Sequence, residues 1–155
     1  MSALLAEKPT CALLHLGPGL SNPMANLQNA RRAFSPVINI IGDHAVDHIK
    51  FDTPLTSDVK AYASACSHFT HNSRSSNLIA EDAAKVAASA MSKRGQIAPL
   101  ITHAEHAWRP SSAAAPMPAI EGAGIPGSQT IDMVAKTLKD QGYKAIPLVS
   151  RNDLY

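Results

Sequence analysis

Residues 16 to 22 read Leu-Gly-Pro-Gly-Leu-Ser-Asn, and these types in this order suit a surface that receives a ligand. Gly17 and Gly19 carry no side chain to hold a bound group off the backbone, and Pro18 fixes the backbone between them. The segment follows a short apolar run, Thr10 to Leu16 (TCALLHL), read as a strand buried on both faces. A helical stretch comes next. The glycines therefore fall where open parallel sheets take ligands, beyond the carboxyl end of a strand. With Ser21 or Asn22 as N-cap, the helix would also turn its anion-favouring end toward them. The pattern is neither G-x-G-x-x-G nor G-x-x-x-x-G-K-S/T, so neither nucleotide loop is encoded. A tight structural turn at Gly17-Pro18-Gly19 is the plainer alternative.

Seven histidines raise the question of a metal. His44 and His48 stand four apart beside Asp43 and Asp47, while His68/His71 and His103/His106 are three apart. A zinc site needs three or four converging ligands. No such spacing occurs, so no metal ligand is assigned. No G-x-S-x-G nucleophile turn is present. Cys11 and Cys66 make no redox spacing, and reduced thiols are expected.

The elements that must position these residues follow from periodicity. Residues 23 to 33 are helical, with Met24, Leu27 and Arg31 at i, i+3 and i+7, and Arg31-Arg32 at a solvated helix end. Pro36 breaks the chain, and Val37 to Ile41 (VINII) is a second buried strand. Strand, glycine turn, helix and strand make a βαβ unit with parallel strands. Thr56-Ser57-Asp58 caps a short helix through Ala63, and Ala65 to His71 is read as a strand. Asn77 to Met91 is a helix whose buried face carries Ile79, Ala83, Val86, Ala87 and Ala90; its small side chains could also seat a neighbouring subunit. Ile97 to Thr102 (IAPLIT) is a strand that Pro99 assigns to an edge or a bulge. Trp108 closes this body. Four prolines mark 109–128 as a linker. Thr130 to Gln141 is an amphipathic helix ending at Gly142, with Ala145 to Val149 (AIPLV) as the strand after it. The fold class is α/β, three-layered, with a mostly parallel sheet between helices.

Composition excludes several partners. Among 155 residues, 14 Lys+Arg stand against 12 Asp+Glu, a formal charge of +2. So small a charge gives no field for nucleic acid. No apolar run approaches the ~20 residues that span a bilayer, and Met1 to Glu7 has no secretory n-region. A cytoplasmic protein without nucleic-acid or membrane partners is expected.

As a string, KPTCALLHLGPGLSNPMANLQNARRAFSPVINIIGDHA (Lys8 to Ala45) resembles the N-terminal, pyrimidine-binding domain of thiamine-diphosphate-dependent enzymes. The likeness is to the group of acetolactate synthase large subunits, benzoylformate decarboxylase and benzaldehyde lyase. It continues through Phe51 to Asp58 and ends at Ala107-Trp108. It implies three parts: 1–108 as a pyrimidine-binding domain lacking its first strand and helix, 109–128 as linker, and 129–155 as the beginning of a central domain.

By position, the resemblance puts Gly17, Pro18 and Gly19 against the cofactor's pyrimidine ring, with Asn22 lining the same pocket. Phe51 falls where relatives place a glutamine near that ring, and Asp43-His44 falls near the subunit contact. The family's catalytic glutamate would lie before Met1, so no catalytic residue carries over. Thiamine diphosphate would be held with Mg2+ on a domain absent from this chain, since no Gly-Asp-Gly motif occurs. The family's Leu-Pro-x-Asp appears as Thr102-His103-Ala104-Glu105. The implied function is a fragment of a 2-oxo acid decarboxylase or carboligase that is inactive alone. The alternative is an inactive assembly or regulatory module, forming homo-oligomers or joining a full-length relative. A flavodoxin-like binder has only the βαβ pattern behind it. Loss of the first strand would leave an unpaired sheet edge and exposed apolar surface.

Overall fold

The computed structural model of the protein describes residues 8–122 and 124–142. One sheet of four parallel strands organises it: β1 (Thr10–His15), β2 (Val37–Asp43), β3 (His71–Asn72) and β4 (Ile97–His103), in the spatial order β1-β2-β4-β3. The helices are α1 (Leu16–Ser21), α2 (Met24–Arg32), α3 (Val46–Ile49), α4 (Val59–Cys66), α5 (Ile79–Met91) and α6 (Ser128–Gln141). Asp58 caps α4, its carboxylate accepting from Ala61 N–H at 2.9 Å, so the cap expected within Thr56-Ser57-Asp58 is its last residue.

Period-two alternation sorts the strand residues between two layers. Ile41, Ile97 and Ile101 face α1, α2 and α4, and they pack with Leu20, Leu27, Val59, Ala63 and Cys66. On the other face Ala98 and Leu100 pack with Val86 and Ala90 of α5, beside Ile38, Phe69 and Ile79. Helices thus lie on both sides of a parallel sheet, as the three-layer reading requires.

Several local expectations are corrected. β1 is half-buried on one side and open on the other, with Leu13 81% exposed and Cys11 and His15 also exposed. The reason is coverage: α5 packs over β4 and β2 but not over β1. The proposed strand Ala65 to His71 is mostly the end of α4 followed by irregular chain, and only His71–Asn72 pair as β3. Ala83 is exposed and Asp82 is buried, so the covered face of α5 is turned from the one expected. Arg31 is not merely solvated; its guanidinium donates to the Ala65 carbonyl at 3.2 Å.

Pro99 does not make β4 an edge strand, because β4 pairs with β2 and β3. Ser73 N–H donates to Ile101 O at 3.0 Å, which fixes the side of β4 that serves β3. Pro99, two residues earlier, turns its missing N–H to that same side. There the two-residue β3 pairs only with Leu100 and Ile101. No ladder bond is lost, and the local rule behind the expectation survives inside an interior strand.

The chain divides into two compact units at Gly122. Within the first, Ser76 Oγ donates to Pro110 O at 2.7 Å and Lys93 N–H to Glu121 O at 2.6 Å, which ties the stretch after Trp108 to the sheet unit. The second contains α6, which ends where Gly142 takes φ 53. Its apolar side chains Ile131, Met133, Val134 and Leu138 are exposed. The expected strand at 145–149 lies outside the described residues. No described helix is long and apolar enough to cross a membrane.

Candidate functional site

The chain leaves the carboxyl end of β1 through a sharp bend, and the residue that bends is Leu16, at φ 53. This left-handed conformation costs a non-glycine residue ~1–2 kcal/mol. Burial of the Leu16 side chain (3% exposed) offsets it. Gly17-Pro18-Gly19 is consequently no tight turn; it forms the opening of α1. Proline fits there because the first N–H groups of a helix have no intrahelical acceptor to lose. Ser21 and Asn22 close α1 and do not cap α2: Ser21 Oγ and Asn22 N–H both donate to Pro18 O, at 3.1 and 3.2 Å. Pro23 holds the N-cap position of α2.

The two glycines have different reasons to be glycine. A Cβ on Gly17 would collide with the Ser57 side chain and approach Tyr62 Cε2 at 3.6 Å. Gly17 is buried and packed from within. A Cβ on Gly19 would meet only ordinary contacts, His15 Cβ at 3.5 Å and Leu14 C at 3.7 Å. Gly19 is half-buried, while Pro18 and Asn22 are exposed. Internal packing explains Gly17 and leaves Gly19 unexplained. Pro18, Gly19 and Asn22 thus present a small surface at the end of β1, with a pyrrolidine, a bare backbone and one amide.

Phe51 is also placed outside. It lies in the loop after α3, 65% exposed, with Lys50 Nζ 5.0 Å from its ring centroid. The same loop reaches α1 through the contact of Ser57 with Gly17.

At the carboxyl ends of β2, β4 and β3 the structure assembles a polar group that spacing did not reveal. His103 is buried; its Nδ1 donates to the His44 carbonyl at 3.0 Å, and its Nε2 lies 3.0 Å from Asn72 Oδ1. His106 meets His103 edge to face at 5.7 Å. Burial pushes the His106 imidazole below its ordinary value, with His103 adding to the effect. The Glu105 carboxylate accepts from Val46 N–H at 3.3 Å. Burial alone would raise Glu105, but backbone N–H groups of Glu105 and Val46 and the two histidines outweigh it and hold the carboxyl low. Asp43 Oδ1 accepts from His44 N–H at 2.8 Å. These bonds latch the loop after β2 to the exit of β4. Among the described residues no three His, Cys, Asp or Glu side chains are grouped to hold a metal ion.

A second feature missed in the sequence is the His71–Asp82 pair, 2.9 Å apart, with Lys85 Nζ 3.7 Å from the same carboxylate oxygen. Ile79, Asp82 and Val86 stand at i, i+3 and i+7, and that spacing was the available signal.

Known proteins share both sequence and architecture with this chain. Residues 1–68 match the family described as thiamine pyrophosphate enzyme, N-terminal TPP binding domain. Over 125 residues, 80% of the chain, it is 45% identical to a Mycobacterium tuberculosis H37Rv protein provisionally named acetolactate synthase large subunit IlvX. The match covers 22% of that relative, so this chain spans about a fifth of its length. Among solved structures, the thiamine diphosphate-dependent 4-hydroxybenzoylformate decarboxylase of Rhodococcus jostii RHA1 superposes with a TM-score of 0.69 at 16% identity. That superposition covers 89% of this chain and 27% of the decarboxylase. A provisionally assigned thiamin diphosphate-dependent enzyme from Mycobacterium smegmatis gives a TM-score of 0.66 at 18% identity, over 85% of this chain and 26% of that one. At these identities the structural likeness is one of fold. Sequence assigns residues 1–68 to the thiamine pyrophosphate enzyme family, as its N-terminal TPP binding domain.

Proposed function

We propose that this chain contributes the pyrimidine side of a thiamine diphosphate cleft in an acetolactate synthase-like 2-oxo acid decarboxylase or carboligase, and is inactive alone. In this reading 1–108 is the cofactor-binding domain, 109–128 a linker and 129–155 the beginning of a central domain. The observation that carries it is Gly19, left bare by its own fold beside exposed Pro18 and Asn22 at the end of a parallel strand. These residues fit a flat aromatic ring: the glycine backbone and Pro18 offer a face, and the Asn22 amide can donate to or accept from a ring substituent. Phe51 adds an exposed apolar ring on the neighbouring loop.

When bound, thiamine diphosphate supplies the electron sink for making or breaking a carbon–carbon bond beside the carbonyl of a 2-oxo acid. The part of this chain is to hold and orient the ring. No carboxylate stands in the first turn of α1; in this reading the proton-transfer partner of the ring belongs to another segment. Mg2+ and the diphosphate are likewise placed on another domain.

Titration of the purified chain with thiamine diphosphate, with and without Mg2+, tests this. Weak binding that is indifferent to Mg2+ and lost in Gly19→Leu is expected. Tight Mg2+-dependent binding, or binding that survives Gly19→Leu, would contradict it.

A second reading, an inactive assembly module, is favoured by the uncovered face of β1, where Leu13 is 81% exposed. Co-purification with a full-length relative would support it; a chain that stays monomeric in the relative's presence would count against it.

A further inference from the structure

At the far side of the sheet from β1 lies a cleft of about 430 Å³, whose lining includes Lys60, His71, Asn72, Arg74, Leu78 and Asp82. We propose that this cleft binds a small phosphate monoester, with Arg74 and Lys60 as the anion-holding groups. It lies along the edge strand β3, between Thr70 just before that strand and Arg74 just after it, and reaches α4 through Lys60 and α5 through Asp82. Its volume lies in the range of small-molecule sites, roughly 300–1,000 Å³. That is more than a bare inorganic anion needs.

Charge decides the class of ligand. Asp82 is the one acid in the lining; its side chain is 6% exposed, and its Oδ1 is engaged by His71 Nε2 at 2.9 Å and Lys85 Nζ at 3.7 Å. Lys85 does not line the cleft, so it answers the carboxylate from outside. Lys60 and Arg74 take part in no ion pair among the described residues, and both are exposed. The cleft therefore keeps two positive charges after its acid is matched. Arginine's planar fork meets two oxygens of a phosphate at once, and lysine adds a point charge. Leu78, 43% exposed, gives the organic part of an ester an apolar wall. The site shares no residue with the Gly17–Asn22 surface and stands independently of the cofactor reading.

Calorimetric titration of the full chain with glycerol 3-phosphate, with glycerol as control, tests it. Saturable one-to-one binding by the phosphate ester and none by glycerol is expected, with affinity falling as NaCl rises from about 50 to about 200 mM. Arg74→Gln and Lys60→Gln should each weaken binding about tenfold, with unchanged circular dichroism, while Lys136→Gln on α6 leaves it intact. No saturable binding by the folded wild type, equal binding of glycerol, or full affinity in both cleft variants would overturn the proposal.

Discussion

Replacing Gly17 by alanine separates two forces that act in opposite directions. On helix propensity alone, alanine in α1 gains ~0.5–1 kcal/mol over glycine. The structure opposes that gain, because the new methyl group meets the Ser57 Cβ and Oγ. Ser57 cannot withdraw freely: its Oγ donates to Leu55 O at 3.2 Å, and Leu55 is itself held at φ 71. Overpacking of this kind costs ~1–3 kcal/mol. The net expectation is a loss of about 0.5–2 kcal/mol, read by urea unfolding as a lower midpoint at unchanged slope. Adding Ser57→Gly should restore most of it, with a coupling energy of ~0.5–2 kcal/mol between the two sites. Wild-type stability in Gly17→Ala, or strict additivity of the pair, would refute close packing as the reason glycine stands there.

Other substitutions follow from the same structure. Gly19→Ala should leave stability unchanged or raise it by up to ~1 kcal/mol while weakening thiamine diphosphate binding; a loss of stability comparable to that of Gly17→Ala would show that Gly19 too is packed from within. Asn39 is fully buried and neither of its amide atoms has a hydrogen-bond partner among the described residues, so Asn39→Val should stabilise by ~1–3 kcal/mol in chemical denaturation, and a destabilised variant would contradict this. His71→Ala leaves the Asp82 carboxylate with Lys85 alone and should cost ~1–3 kcal/mol, most of it recovered by Asp82→Asn in the same chain. Acid should also weaken the fold in a defined order. His106 binds its proton less readily folded than unfolded, so stability is full above its ordinary value of 6.5 and declines as pH falls below it. Glu105, held low, adds a further loss as pH falls below 4.5. In His106→Gln the decline between pH 7 and 5 should be shallower than in the wild type, measured by thermal unfolding across pH; an identical slope would remove His106 from the account.

The layers of the fold were legible wherever burial is written as a local pattern. VINII, and the Ala-rich stretch that became α5, announced themselves by apolar runs and periodicity, and Asp58 announced its helix by a cap. The rest depends on what lies opposite. The sequence of β1 suits burial on both faces, yet only neighbours could supply the second cover, and α5 packs elsewhere. Pro99 named a missing N–H correctly, but only the shortness of β3 decides that no bond was needed there. Gly-Pro-Gly specifies an unobstructed backbone without saying which residue bends; the structure gives the bend to Leu16 because its side chain can be buried. At the candidate site, Gly17, Pro18 and Gly19 lie in α1 and Asn22 caps its end, so they are together because they are close in sequence. The latch of His103, His44 and Asn72 joins three strand ends far apart in the chain, and no local spacing encodes it.

The pyrimidine-facing surface can be addressed residue by residue. Titration of 15N-labelled chain with thiamine, followed through backbone amide shifts, should move Gly19, Ser21 and Asn22 first, with Phe51 and its neighbours following and β3 silent. Shifts confined to other parts of the sheet, or none at concentrations that saturate the binding signal, would mean that α1 is not where the ring rests.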